Sequence, residues 1–209
     1  LRRGVPWADM AVVVRSGAQL APVLRALAVA EVPTRTTAGG SALRDDFAAR
    51  GLLRLVSVGV GHAELAPAVA TELLLGPFGG LDPLALRRLR IALRAEEVAG
   101  GGRRPGDELV AEALAAPGRL ATIDHRVARA AQRLAETLGL LRTSSGSIEE
   151  LLWIAWERSG LAKTWHALAL GGGITATEAN RNLDGVVALF TSAKRFAELR
   201  PDAAPRAYL

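Results

Sequence analysis

The stretch Met10–Thr37, MAVVVRSGAQLAPVLRALAVAEVPTRTT, decides the fold expected for the first part of the chain. It opens with a short apolar run rich in β-branched residues and closes with a second β-branched run from Val32 to Thr37. Between these runs apolar residues recur every three or four positions, the period of an amphipathic helix. Strand, helix and strand in this order predict a βαβ unit, whose parallel strands need a sheet with covered faces.

The rest of the sequence shows helical periodicity and no comparable strand pattern. We therefore expect a mostly α fold, with a small α/β corner in residues 1–58 and a multi-helix, bundle-like subdomain in residues 59–209. Asp82 followed by Pro83 is a strong signal for the start of a helix. Capping-box patterns at Ser147–Glu150 and Thr175–Glu178 predict two further helix starts.

Composition limits the classes of protein to consider. Half of the 209 residues are hydrophobic, which suits a globular chain with a real core, and the net charge of +5 permits attraction to nucleic acid. The absence of cysteine excludes disulfides and thiolate metal sites. No apolar stretch approaches a membrane span and no signal-peptide pattern opens the chain, so we expect a cytoplasmic protein. Leu1 and the abrupt end at Leu209 suggest a segment of a longer protein.

Arg15 follows the first predicted strand directly. The carboxyl ends of parallel strands form the crevice where α/β sheets bind ligands. A guanidinium there offers a forked, permanently charged set of donors that suits phosphate oxygens. The alternative is an ordinary surface arginine in a loop.

Residues 11–19, AVVVRSGAQ, resemble motif IV of the UvrD/Rep/PcrA-type superfamily-one DNA helicases, whose usual form is A-V-L-x-R-S-N-A-Q. Gly17 stands where that family has asparagine. Further elements agree in order, and they are residues 31–34 (EVPT), Gly39-Gly40, and residues 43–47 (LRDDF) running into 52–56. The resemblance covers about residues 7–58. It implies that Arg15 is a catalytic and ATP-binding residue that reaches the γ-phosphate across the lobe interface of the intact enzyme.

In the same family a helical subdomain is inserted into the second RecA-like lobe, and residues from about 60 onward are similar to it in position. The family insert carries a G-I-G-D turn that touches the backbone of duplex DNA. The equivalent here is Phe78–Asp82, with Leu81 in place of the second glycine. The resemblance therefore implies a DNA contact by the turn and by the arginines after it, namely Gly79, Gly80, Asp82, Arg87, Arg88 and Arg90. The alternative is an ordinary turn beside a solvated basic face.

Other patterns carry less. No G-x-x-x-x-G-K-[ST] loop occurs, so we do not expect this chain to hydrolyse ATP alone; ATP and Mg²⁺ belong to the parent enzyme and neither is expected on this segment. No metal-ligand spacing is present. Trp153, Trp156 and Trp165 fall among apolar helix positions, which favours core packing over base stacking. Arg103 and Arg104, in a glycine-rich loop, are either solvated or in contact with nucleic acid.

Two functions remain. The first is a fragment of an ATP-dependent DNA helicase whose helical part contacts duplex DNA or a single-strand/duplex junction, or regulates unwinding. The second is a non-catalytic architectural module that binds the rest of a helicase chain or a nuclease subunit, since related inserts occur in RecB- and AddA-like enzymes and in actinobacterial helicase–nucleases. A basic surface favours DNA, whereas a broad exposed apolar patch favours a protein partner.

Overall fold

The computed structural model describes residues 5–15, 19–34, 43 and 46–209. Over these residues the chain is mostly α-helical, which confirms the predicted fold class. It divides into two compact units, Leu1–Asp45 and Asp46–Leu209. The division falls before the helix at Phe47–Gly59, whereas the sequence placed a domain boundary after residue 58, so that helix belongs to the helical unit.

The predicted βαβ corner is not formed in the described part of the first unit. A 3₁₀ turn covers Trp7–Asp9 and helix α1 covers Leu20–Val29, but neither residues 10–14 nor 32–34 form a strand. Val13 is 93% exposed, which no buried strand allows. A parallel strand is stable only when neighbouring strands take up its backbone hydrogen bonds, and the described residues supply none.

Several predicted features of this unit lie outside the described residues. They are Ser16–Ala18 of the motif IV run, residues 35–37 of the second β-branched run, the Gly39-Gly40 turn, and Arg44-Asp45. The described members of the run are thus Ala11 to Arg15 and Gln19.

Eight helices form the described part of the second unit. They are α2 (Phe47–Gly59), α3 (Pro67–Leu75), α4 (Pro83–Ala99), α5 (Gly106–Ala115), α6 (His125–Thr143), α7 (Ile148–Ser159), α8 (Leu161–Ala169) and α9 (Gly173–Leu199). Short 3₁₀ turns occupy Pro117–Leu120 and Pro205–Ala207. No helix in the described ranges is both long enough and apolar enough to cross a membrane.

The core of this unit is built around α2 and α6. Helices α3, α4 and α5 pack on one another, α7, α8 and α9 do the same, and α2 and α6 contact both groups. The side chains that fill the core are mostly leucines with almost no exposed surface, among them Leu52, Leu55, Leu74, Leu89, Leu109, Leu134, Leu138 and Leu141. Burial of this aliphatic surface is the main stabilising contribution to the fold.

Local capping signals explain where several helices begin. Asp82 caps α4 and Pro83 is its first residue, as predicted. The capping box at Ser147–Glu150 is also confirmed, with both reciprocal hydrogen bonds present at the start of α7. The box predicted at Thr175–Glu178 is wrong, because α9 already begins at Gly173 and Thr175 lies inside its first turn.

Of the three tryptophans predicted to pack in the core, two do so. Trp156 and Trp165 are buried with ring centroids 5.6 Å apart, and they join α7 to α8. Trp153 is instead more than half exposed and meets the ring of Phe190 edge-on at 6.1 Å. The prediction of core packing is therefore confirmed for Trp156 and Trp165 and is wrong for Trp153.

Candidate functional site

Arg15 lies at a bend that follows residues 11–14, which belong to no helix or strand, and it is exposed. Its backbone amide donates a hydrogen bond to the side-chain oxygen of Gln19 at 3.1 Å. Within the described residues its guanidinium forms no ion pair or hydrogen bond, so its charge faces solvent. One exposed guanidinium can contact a phosphate brought by another domain.

Arg15 is the side chain predicted to contact ATP, and it lies among the described residues. A nucleotide site needs several donors around its phosphates and oxygen ligands for the metal. The described part of the chain contains no group of three or more histidine, aspartate or glutamate side chains placed to hold a metal ion. Binding of ATP and Mg²⁺ by a parent enzyme stays a prediction.

In the turn between α3 and α4, the backbone amides donate their hydrogen bonds to carbonyl oxygens of the chain itself. The amides of Gly79 and Gly80 donate to the carbonyl oxygen of Gly76 at 3.2 and 2.9 Å, and that of Leu81 donates to Leu74 at 2.9 Å. These donors are the groups that a G-x-G-type turn would offer to a DNA phosphate. Because they are already paired within the turn, a phosphate here would have to be bound by side chains.

Both glycines have a structural reason to be glycine. Gly79 is buried, and a Cβ atom at this position would collide with the carbonyl oxygen of Leu73 and the backbone of Leu74. Gly80 has a φ of +67°, in the left-handed region that favours glycine. The turn is thus shaped by its close approach to α3.

Asp82 is likewise engaged in the helix that follows. Its carboxylate accepts a hydrogen bond from the backbone amide of Ala85 at 2.7 Å. An aspartate at this position stabilises the helix start by satisfying an amide and by complementing the helix dipole. A second anion would meet that carboxylate, so Asp82 orients α4 rather than offering a place for phosphate.

The arginines of α4 divide into two kinds. Arg90 donates from Nη2 to Thr71 Oγ1 at 3.0 Å and lies 2.5 Å from Asp107 Oδ1, so it joins α4 to α3 and α5. Arg87 and Arg88 are exposed, and neither pairs with another described side chain. Only these two of the predicted DNA contacts present an uncommitted cation at the surface.

The exposed face of α4 is also apolar, which the sequence analysis did not anticipate. Leu84, Ile91 and Val98, spaced seven residues apart, are 54%, 59% and 57% exposed. We call these three residues the α4 stripe. On the opposite face of α4, Leu86, Leu89 and Leu93 are buried in the core. The sequence alone could have indicated this stripe, because α4 has more apolar residues than one buried helix face can hold.

A groove of about 840 Å³ runs beside the stripe, between α4 and the start of α5. Ile91, Ala95 and Val98 form its apolar lining, and Arg87 and Arg94 contribute charge. Arg94 donates to the backbone carbonyl of Arg104 at 2.7 Å, a neutral partner that leaves its charge uncompensated. The groove is therefore apolar with a positive edge.

A four-residue charge network closes the loop after α4. Arg104 and Arg119 each pair with both Glu97 and Glu112, at distances of 2.6–3.1 Å. Only 7% of the Glu97 side chain is exposed, and its hydrogen bonds from Arg104 lower its pKa to about 2. The guanidinium of Arg104 is thus paired with two carboxylates, although 48% of its side chain is exposed. The sequence analysis did not predict this network, because 22 residues separate Glu97 from Arg119 and no local sequence pattern connects them.

This network predicts an acid-dependent loss of stability. Because the pKa of Glu97 is lower in the folded chain than its ordinary value of 4.5, its contribution is complete above that value and is lost as pH falls towards about 2. The free energy of unfolding of the wild type should exceed that of Glu97→Gln at pH 7, and the difference should shrink between pH 4.5 and 2. Urea unfolding followed by circular dichroism measures it.

The control for this experiment is Glu178→Gln, which removes an exposed carboxylate of α9. It should change the unfolding free energy little at either pH. A Glu97→Gln difference that stays constant from pH 7 to 2 would contradict the assignment.

Comparison with protein-family models finds no match to this chain, and comparison with curated proteins finds none either. The functional assignment therefore depends on the chain's own residues, on their geometry, and on the motif resemblance.

Proposed function

We propose that this chain is part of an ATP-dependent DNA helicase of the UvrD/Rep/PcrA type. It would contribute the motif IV region of the second motor lobe and most of the helical insert. The ordered agreement of residues 7–58 with that family carries the proposal. Arg15 supports it, because its guanidinium is exposed and has no partner among the described residues, and a γ-phosphate contact needs a side chain that is free to meet a nucleotide held by another domain.

In this proposal α4 is the element of the helical unit that contacts duplex DNA. Arg87 and Arg88 bind backbone phosphates, because they are the predicted contacts whose guanidinium groups are exposed and uncommitted. The other predicted residues position α4 and do not bind DNA themselves. The turn at Gly79, Gly80 and Asp82 fixes where α4 begins, and Arg90 fixes how α4 lies on α3 and α5.

The double variant Arg87→Ala/Arg88→Ala should weaken duplex binding and flatten its salt dependence. Each arginine that neutralises a phosphate releases counterions, so the slope of log K against log salt should fall by about 1.8. Fluorescence anisotropy with blunt duplex, tailed duplex and single-stranded DNA at several salt concentrations measures both quantities. The effect should be largest for the probes that contain duplex.

A matched control is Arg181→Ala/Arg195→Ala, which removes two exposed charges from α9. If both double variants lower the affinity and the salt slope equally, DNA binding depends only on the net charge of the chain, and the role of α4 is refuted.

The second candidate function is a helical protein-interaction module within a helicase–nuclease assembly. The observation that favours it is the α4 stripe, because contiguous exposed apolar surface marks sites of protein contact. In this function the helical unit is architectural and its partner is a protein chain.

A further inference from the structure

The α4 stripe has the geometry of a seam between two helices. Its three residues recur at seven-residue intervals and span fourteen positions, about 21 Å along the axis. Apolar residues at this interval face a second helix laid alongside the first. Ala95, four residues after Ile91, adds apolar surface beside the stripe, and its small side chain leaves room for a side chain of the partner. A partner helix can therefore approach α4 closely over about four turns.

The charges beside the seam are of one sign. In a helix the positions three and four residues after a given residue lie on its two flanks. Arg87 and Arg94 follow stripe residues by three and line the groove, while Arg88 follows Leu84 by four and is exposed outside the groove lining. Asp107 also borders the groove, but its charge is paired with Arg90. Arginines thus border the apolar stripe, and their charge favours a partner that carries carboxylates.

We propose that the groove between α4 and α5 binds an acidic amphipathic helix of a partner protein. This inference rests on the second candidate function and names the chemistry of its partner. The partner's apolar side chains pack on Ile91, Ala95 and Val98, and its carboxylates pair with Arg87, Arg88 and Arg94. Duplex DNA bound at the arginines would leave the apolar stripe in water, whereas a protein helix would cover the stripe as well.

The test uses a labelled peptide of about three heptads, with leucine at the a and d positions and glutamate at e and g. Glutamate repulsion disfavours pairing of the peptide with itself, while the arginines of α4 attract it. We expect saturable, micromolar binding in an anisotropy titration with the chain. Ile91→Ser should weaken it at least about tenfold, because the buried side chain is lost from the contact.

The control variant is Val187→Ser, which removes a similarly exposed apolar side chain from α9 and should leave peptide affinity unchanged. Ile91 and Val187 are both well exposed, so both variants should fold. A peptide with lysine in place of glutamate should bind at least about tenfold more weakly. Absence of saturable binding to the glutamate peptide, or equal affinity in wild type and Ile91→Ser, would overturn the proposal.

Other outcomes separate this inference from the functions above. Binding of the lysine peptide instead, lost in Ile91→Ser, would overturn the acidic partner while keeping an interaction surface. Duplex binding that is sensitive to Ile91→Ser, with no peptide bound, would overturn the inference and leave the helicase proposal standing. Sedimentation showing a dimer that Ile91→Ser dissociates would assign the stripe to a second copy, which also overturns it.

Discussion

In the proposed parent helicase, replacing Arg15 with alanine is expected to lower the ATP turnover number by about a thousandfold or more, the loss typical of an arginine that stabilises charge on the transferred phosphoryl group. Alanine offers no donor and no charge to the γ-phosphate oxygens. DNA affinity should stay close to that of the wild type, because Arg15 belongs to the unit Leu1–Asp45 and not to the helical unit. Steady-state ATPase assays at saturating single-stranded DNA, with anisotropy for affinity, measure both.

Two further variants sharpen this experiment. Arg15→Lys keeps a charge but loses the planar fork, so its turnover should lie between the wild type and Arg15→Ala. Arg25→Ala removes another exposed arginine from the same unit, on α1, and should leave turnover unchanged. Wild-type turnover in Arg15→Ala would refute the γ-phosphate role and leave a surface arginine.

Local chemistry made the helix starts predictable. Asp82 with Pro83, and Ser147 with Glu150, satisfy the first amides of their helices through residues close in sequence, so the pattern alone suffices. The apolar run after Met10 also predicts a strand from pattern alone. A strand, however, needs partners from elsewhere in the chain, and no pattern within the run can supply them.

The sequence predicts the residue types of the candidate site better than it predicts the contacts that those residues make. Gly79 and Asp82 match the letters of the family motif, but the amide of Gly79 and the carboxylate of Asp82 are used to build the turn and to start α4. Whether a glycine serves a ligand or a close approach to α3 is decided by neighbours in space. The charge network of Glu97 could not be predicted for the same reason, since packing brings its members together.

Gly79→Ala should be the most destabilising of the substitutions considered for the helical unit. The added methyl group would meet backbone atoms of Leu73 and Leu74, which cannot rotate away as a side chain can. Forcing volume into a tightly packed site of this kind costs about 3 kcal/mol. For a unit of this size that lowers the thermal midpoint by about 6–12 °C. Calorimetry or thermal circular dichroism of the chain measures it.

The matched control is Gly139→Ala, inside α6, where a Cβ meets no atom within 4 Å. Alanine favours helix over glycine by about 0.5–1 kcal/mol, so this variant should melt slightly higher than the wild type. The pair also separates two explanations of Gly79. If Gly79→Ala melted like the wild type and bound duplex DNA more weakly, the glycine would be needed for the approach of DNA, and the turn would again be a direct contact. A low melting point, with duplex affinity retained below the transition, would instead show that Gly79 serves the packing of α3 against the start of α4.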